Sequence, residues 1–163
     1  MTYRVLTICT GNICRSPMAE VVLQAVANEA GMDVEVQSAA ITAYEVGNPI
    51  DYRAQKILRE GGYQTPVRGA QQVTRSDLAS YDLVLPMTRE HKRALERLAK
   101  SLPEEDQPEI RLWREFASDA DSRTDLDVPD PWYGDIEDFV ETLEIIEDAT
   151  DGLLEHMRND LGR

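Results

Sequence analysis

Long apolar runs are missing from this 163-residue chain: no stretch approaches the ~18 consecutive apolar residues of a membrane span. The opening MTYRVLTICTGN has no basic region leading into an apolar core, so no secretory signal is expected. Cysteine is scarce. The two present, Cys9 and Cys14, share one octapeptide, which excludes a disulfide framework stapling a secreted domain and makes a reducing cytoplasm the expected compartment. Positive charge is also short, with 17 Lys and Arg against 31 Asp and Glu and a net charge of −14. No general nucleic-acid binding is expected, because that needs a basic face to release counterions. No anionic membrane surface is expected as a partner either. An anionic substrate would demand strong local positive charge against this background.

Metal ligands are equally sparse. The two histidines, His91 and His156, have no cysteine or histidine partners at ligand spacing, and both are expected at the surface. The acidic stretch SDADSRTDLD lacks the glycine a calcium loop needs, since Thr124 stands there, and Arg123 occupies a ligand position. It reads as a solvated loop.

What remains is an ordinary globular composition, 42% apolar and 29% charged, on a length that suits one domain over 1–163. Val5 to Cys9 predicts a strand buried on both faces. Ser16 and Pro17 predict a helix start, with Met18, Val21, Val22, Ala25 and Val26 at helical spacing up to Gly31. A second strand is expected over Asp33 to Ser38 and a helix over Asp51 to Glu60. Thr74 or Ser76 caps a short helix through Tyr81, Leu83 to Leu85 form a third strand, and Thr88 caps a further helix. Ile110 and Leu112, extending toward Phe116, predict a fourth strand. One last helix is expected to carry Ile136, Phe139, Val140, Leu143, Ile146, Leu153 and Leu154. This alternation predicts an α/β fold: a three-layer sandwich with a four-stranded, mostly parallel sheet flanked by helices. Ligands of such sheets bind beyond the carboxyl ends of the strands.

The octapeptide CTGNICRS (residues 9–16) falls at that position. A strand, a glycine-containing turn and a helix start gather backbone N–H groups around one point, which suits an anion. Arg15 offers a planar fork matching two phosphate oxygens. The donors that hold a phosphate dianion also stabilise a thiolate, so Cys9 gains a nucleophile's environment from the same cradle. A Cys-x5-Arg spacing alone arises by chance; after a strand and before Ser-Pro and a helix it is specific. The nucleotide loop ending in Gly-Lys-Ser/Thr is excluded, for it needs a lysine and a longer spacer. A distant VPDPWYG supplies Asp130, fenced by Pro129 and Pro131, as a candidate proton donor, with Trp132 and Tyr133 as walls for an aromatic ring.

Together, CTGNICRSPMAE and DPWYG resemble the low-molecular-weight protein tyrosine phosphatase family across essentially the whole chain. The resemblance implies that Cys9 is the nucleophile of a cysteinyl-phosphate intermediate, Arg15 the phosphate clamp and Asp130 the general acid and then base. Thr10, Gly11, Asn12, Ile13, Cys14 and Arg15 supply the amide cradle. Asn12 is implied to hold the loop's shape, supported by Ser38, and Ser16 to donate toward the sulfur. Cys14 is implied to trap an oxidised Cys9 reversibly, and Tyr44 to join Trp132 and Tyr133 in walling the ring. No metal or cofactor is implied. The partners are phosphotyrosine-containing proteins, and the chain is expected to be a monomer.

The family pattern is broken where its histidine gives way to PVRGAQQVT, leaving Arg68 as the nearest polar residue. It is broken again at Met87-Thr88 and at Trp132. Three rival readings share parts of the loop. A thiol-dependent arsenate reductase needs further cysteines, and none follows Cys14. A non-catalytic phosphotyrosine reader would lack Cys9 or Asp130, and a carbohydrate phosphotransfer module would not require the flanked Asp130.

Overall fold

Val5, Leu6, Thr7, Ile8 and Cys9 are all buried, and this central run forms most of strand β1 (Tyr3–Cys9). The computed structural model describes residues 2–162. Strand β2 (Val34–Ala40) lies on one side of β1, with β3 (Leu83–Pro86) and then the two-residue β4 (Glu109–Ile110) on the other. All three pairings are parallel; Tyr3 stands opposite Val34, and Val5 opposite both Val36 and Leu83. Parallel strands need crossovers, and helices supply them on both faces.

Two separate apolar clusters show the three layers. On one face Val5, Leu83 and Leu85 pack with residues of α1 (Arg15–Glu29), α2 (Tyr52–Glu60), α5 (Ile136–Asp148) and α6 (Thr150–Leu161), among them Met18, Leu58, Phe139 and Leu153. On the other, Leu6, Ile8 and Val84 meet Leu78 of α3 (Arg75–Leu78) and Leu95 of α4 (Arg89–Ala99). The strand residues alternate between the two clusters, the two-residue period of a strand covered on both sides.

Thr74 caps α3 and Thr88 caps α4 as the sequence predicts; Asp51, expected as a helix residue, caps α2, and Asp135 caps α5. Helix α1 differs from expectation. Its N-cap is Cys14, with no side-chain cap, so Ser16 and Pro17 are its second and third residues. Proline is tolerated there because the first turn's N–H groups have no partner within the helix.

Two further expectations are corrected. The fourth strand stops at Ile110; Leu112 starts a 3₁₀ turn (Trp113–Phe116) that buries the Trp113 indole in the core. The single last helix is two, broken at the buried Ala149. Carbonyls that would carry the first helix onward are engaged otherwise. Ile146 O accepts from Trp113 Nε1 (3.3 Å) and Ala149 N (3.3 Å), and Glu147 O from Thr150 Oγ1 (2.8 Å).

Candidate active site

The loop from Cys9 to Arg15 leaves the end of β1 and runs straight into α1, whose uncapped first turn leaves N–H groups without acceptors inside the helix. Asn12 occupies the left-handed region at φ 61°, a conformation asparagine tolerates better than most residues. Its side chain is fully buried and uses its whole hydrogen-bonding capacity. Nδ2 donates to Ser16 Oγ and Ser38 Oγ, both at 2.9 Å. Oδ1 accepts from Arg68 Nη1 and Gln71 N, both at 3.1 Å. Arg68 also donates to Ser38 Oγ (2.7 Å) and pairs with Glu20 (3.2 Å), which in turn accepts from the Ser38 hydroxyl. Arg68 therefore braces the strained loop residue where the sequence offered it only as the nearest polar side chain.

The sulfur sits at the focus of this scaffold. Asn12 N donates to Cys9 Sγ at 3.3 Å. Ser16 Oγ lies 3.0 Å from the same sulfur. Ser16 also accepts from the Asn12 amide, and once Cys9 is a thiolate, which can only accept, the Ser16 hydrogen is the one available to the sulfur. Arg15, only 4% exposed, donates through Nη1 to the Val128 carbonyl (2.9 Å). Its Nη2 reaches Thr10 Oγ1 (3.4 Å) and Asp130 Oδ2 (3.4 Å). Asp130 begins the 3₁₀ turn Pro131–Tyr133, its other oxygen accepting from Trp132 N at 3.1 Å.

Cys9, Thr10, Gly11, Ile13, Cys14, Arg15, Tyr44, Asp130, Trp132 and Tyr133 line one cleft of about 140 Å³, as expected, together with Glu45. Tyr44 is 84% exposed and Tyr133 89%, so they form the rim, while Trp132 is exposed to a smaller extent, at 43%. Asn12 and Ser16, expected among the cleft residues, do not line it; their side chains lie behind the loop, fully buried. Cys14 is a buried free thiol like Cys9. Burial above all, then the nearby Asp51 carboxylate, pushes its ionisation up, so it stays protonated at neutral pH.

Sulfur, guanidinium, amide cradle and a carboxyl group thus converge, the parts needed for phosphoryl transfer to a thiolate. The family model for low molecular weight phosphotyrosine protein phosphatase matches residues 4–163. The chain belongs to that family. A low molecular weight protein-tyrosine-phosphatase of Streptomyces coelicolor is 43% identical over 160 residues, covering 97% of this chain and 95% of its own. Low molecular weight protein-tyrosine phosphatase A of Mycobacterium tuberculosis is 39% identical, covering 96% and 92%. Among solved structures, a protein tyrosine phosphatase from Entamoeba histolytica superposes with a TM-score of 0.86 at 28% identity, covering 98% of this chain and 99% of that one.

Besides Glu45, Arg53 and His91 at this family member's site escaped the sequence reading. Arg53, from α2, forms a two-pronged pair with Asp51 and donates to the carbonyls of Gly134 (3.1 Å) and Trp132 (3.4 Å), with its guanidinium over the Trp132 and Phe139 rings. It thereby ties the turn that begins with Asp130 to α2.

The second is His91, expected at the surface and found 5% exposed, its Nε2 2.8 Å from Thr10 Oγ1. The helical spacing of α4 turns it inward beside the loop. His156, also expected at the surface, is partly buried, with Nε2 2.7 Å from Glu109.

Burial, then the Arg15 guanidinium, lowers the His91 pKa from 6.5 to about 4. Above pH 6.5 the ring is neutral in both folded and unfolded chains; as pH falls toward 4 only the unfolded chain gains the proton. His91 should therefore remove about 3 kcal/mol of stability across that fall. Urea unfolding at a series of pH values should show that slope in the native protein and a shallower one in His91→Leu.

Proposed function

We propose that the chain is a protein tyrosine phosphatase, hydrolysing phosphotyrosine and aryl phosphates through a cysteinyl-phosphate intermediate on Cys9. The observation that carries this reading is the convergence on one cleft of Cys9 Sγ, with the Asn12 amide and the Ser16 hydroxyl beside it, Arg15 and Asp130. In the first step the sulfur attacks phosphorus, the bond from phosphorus to the phenolic oxygen breaks, and that oxygen leaves with the proton of Asp130. Arg15 and the loop amides hold the equatorial phosphoryl oxygens. In the second, Asp130 accepts a proton from water, the water oxygen attacks phosphorus and the S–P bond breaks. The Ser16 hydroxyl and Asn12 amide stabilise the departing thiolate.

The exposed ring of Tyr44, with Trp132 and Tyr133, suits an aryl group reaching down to the loop. A phosphoserine side chain is too short to span that rim. The substrates are accordingly phosphotyrosine-containing proteins, met by a monomeric enzyme in the cytoplasm. Among the described residues no helix is long and apolar enough to cross a membrane.

Phosphate release from p-nitrophenyl phosphate and from matched phosphotyrosyl and phosphoseryl peptides, with a chelator present, tests the reading. Turnover of the first two and not the third is expected; equal turnover of both peptides would overturn the substrate class. Arg53 supplies a second check. Arg53→Met should lower kcat on phosphotyrosine by roughly tenfold to a hundredfold, the scale of a slightly misplaced catalytic group. The loss should be smaller on p-nitrophenyl phosphate, whose leaving group depends less on a proton donor.

A further inference from the structure

His91 is a buried ionisable group that the two steps above leave unused. It sits in the first turn of α4, where its backbone N–H donates to the capping Thr88 hydroxyl at 3.1 Å. Its Nε2 faces Thr10 Oγ1 at 2.8 Å, and Thr10 Oγ1 also accepts from Arg15 Nη2 at 3.4 Å. Thr10 is itself a cleft residue. The other ring nitrogen, Nδ1, is buried with no hydrogen-bond partner among the described residues.

A hydroxyl has one hydrogen and two lone pairs, and a neutral imidazole has one N–H and one bare nitrogen. Two proton arrangements are open. If Thr10 gave its hydrogen to Nε2, then Nδ1 would carry the ring proton as a buried N–H with no acceptor. If instead Nε2–H donates to Thr10, then Nδ1 is a bare lone pair. Orphaned buried N–H groups are the rarer kind of unsatisfied group, so the second arrangement is favoured. The lowered pKa excludes a doubly protonated ring near neutrality. With both lone pairs of Thr10 then engaged by His91 and Arg15, its hydrogen is the one left for the cleft.

We propose that His91 is a positioning residue: its Nε2–H fixes Thr10 so that the Thr10 hydroxyl donates into the cleft, to an oxygen of the bound phosphoryl group. The assignment rests on the phosphatase reading for its role in catalysis, and on the geometry of the cradle alone for its role in anion binding. His91 touches no reacting atom and acts entirely through Thr10.

The test measures the affinity of the folded protein for inorganic phosphate and for vanadate, alongside kcat and KM. Native protein is compared with Thr10→Val, His91→Leu, His91→Gln and the double variant Thr10→Val/His91→Leu. Thr10→Val and His91→Leu should each weaken anion binding about tenfold, the scale of one hydrogen bond to a charged group. The double variant should be no weaker than Thr10→Val alone, because both remove one interaction. His91→Gln, whose amide N–H can replace Nε2–H, should recover most of the loss. Nitrogen NMR of the native protein should show His91 as the neutral Nε2–H tautomer. Unchanged affinity in Thr10→Val, fully additive losses, or an Nδ1–H tautomer would each overturn the assignment. A merely structural His91 would lower Tm in His91→Leu without changing the affinity of the folded fraction. Thr10→Val and the NMR measurement decide the matter even if His91→Leu does not fold. Anion affinity is read without turnover, so an inactive native protein would sink the phosphatase reading while this titration still judged His91.

Discussion

Cys9→Ser is expected to abolish turnover of aryl phosphates, with kcat down by at least about 10⁴-fold, as when an enzyme loses its nucleophile. The cradle explains why an oxygen cannot substitute. Asn12 N donates to the sulfur and the Ser16 hydroxyl lies 3.0 Å from it, able to donate to a thiolate, an arrangement that suits an anion. A serine hydroxyl stays neutral in that setting, and among the described residues no hydrogen bond arranges a base to take its proton: the Ser16 hydroxyl is too weak a base, and Asp130 contacts Arg15 and the Trp132 amide. The substitution removes little volume from a buried site, so the variant should fold and still bind phosphate or vanadate. Steady-state kinetics with an anion titration checks both halves. Substantial residual turnover would mean that Cys9 does not form the intermediate.

The second large effect belongs to Asp130. Asp130→Ala should lower kcat on phosphotyrosine by roughly 10²–10⁴-fold, the usual contribution of a positioned acid. The loss should shrink for p-nitrophenyl phosphate, because a stabilised phenolate departs without a proton. The tyrosine phenol, with a pKa of ~10, needs one. Arg15 should hold its place in this variant, since the Val128 carbonyl anchors its other nitrogen at 2.9 Å. KM should accordingly change little. Equal losses on the two substrates would argue against proton donation by Asp130.

The reaction class was legible in the sequence because its central parts are contiguous. The end of a strand, a loop and a helix start fit within CTGNICRSPMAE, and the candidate acid Asp130 lies in one short turn, DPWYG. The parallel sheet followed from the alternation of apolar strands with helices. What stayed hidden is brought together only by tertiary packing. Arg53 reaches the turn that begins with Asp130 across the sequence from α2, and His91 reaches Thr10 from α4. Neither residue lies in a local pattern that marks it, although the inward phase of His91 beside Leu95 on α4 was a usable signal.

Other departures have local causes. Ser-Pro is a strong helix-start signal, yet the left-handed Asn12 lets α1 begin at Arg15, which frees Ser16 to serve the sulfur. No proline marks the break between α5 and α6, and the neighbouring glycine, Gly152, lies inside α6. It is needed there because a Cβ would stand 2.5 Å from the Phe116 carbonyl oxygen. At the break itself the Ile146 carbonyl accepts from the Trp113 indole and the Glu147 carbonyl from the Thr150 hydroxyl, contacts that no local sequence pattern announces.

The central claim is that phosphate passes through the Cys9 sulfur. The most direct measurement is rapid acid quench of the enzyme during turnover of an aryl phosphate, followed by peptide mass spectrometry. A phosphoryl group on the peptide containing Cys9, formed and lost at rates that match turnover and absent from Cys9→Ser, is the predicted result. Full-rate turnover with no phosphorylated Cys9 at any quench time, while Cys9→Ser keeps its activity, would contradict the account.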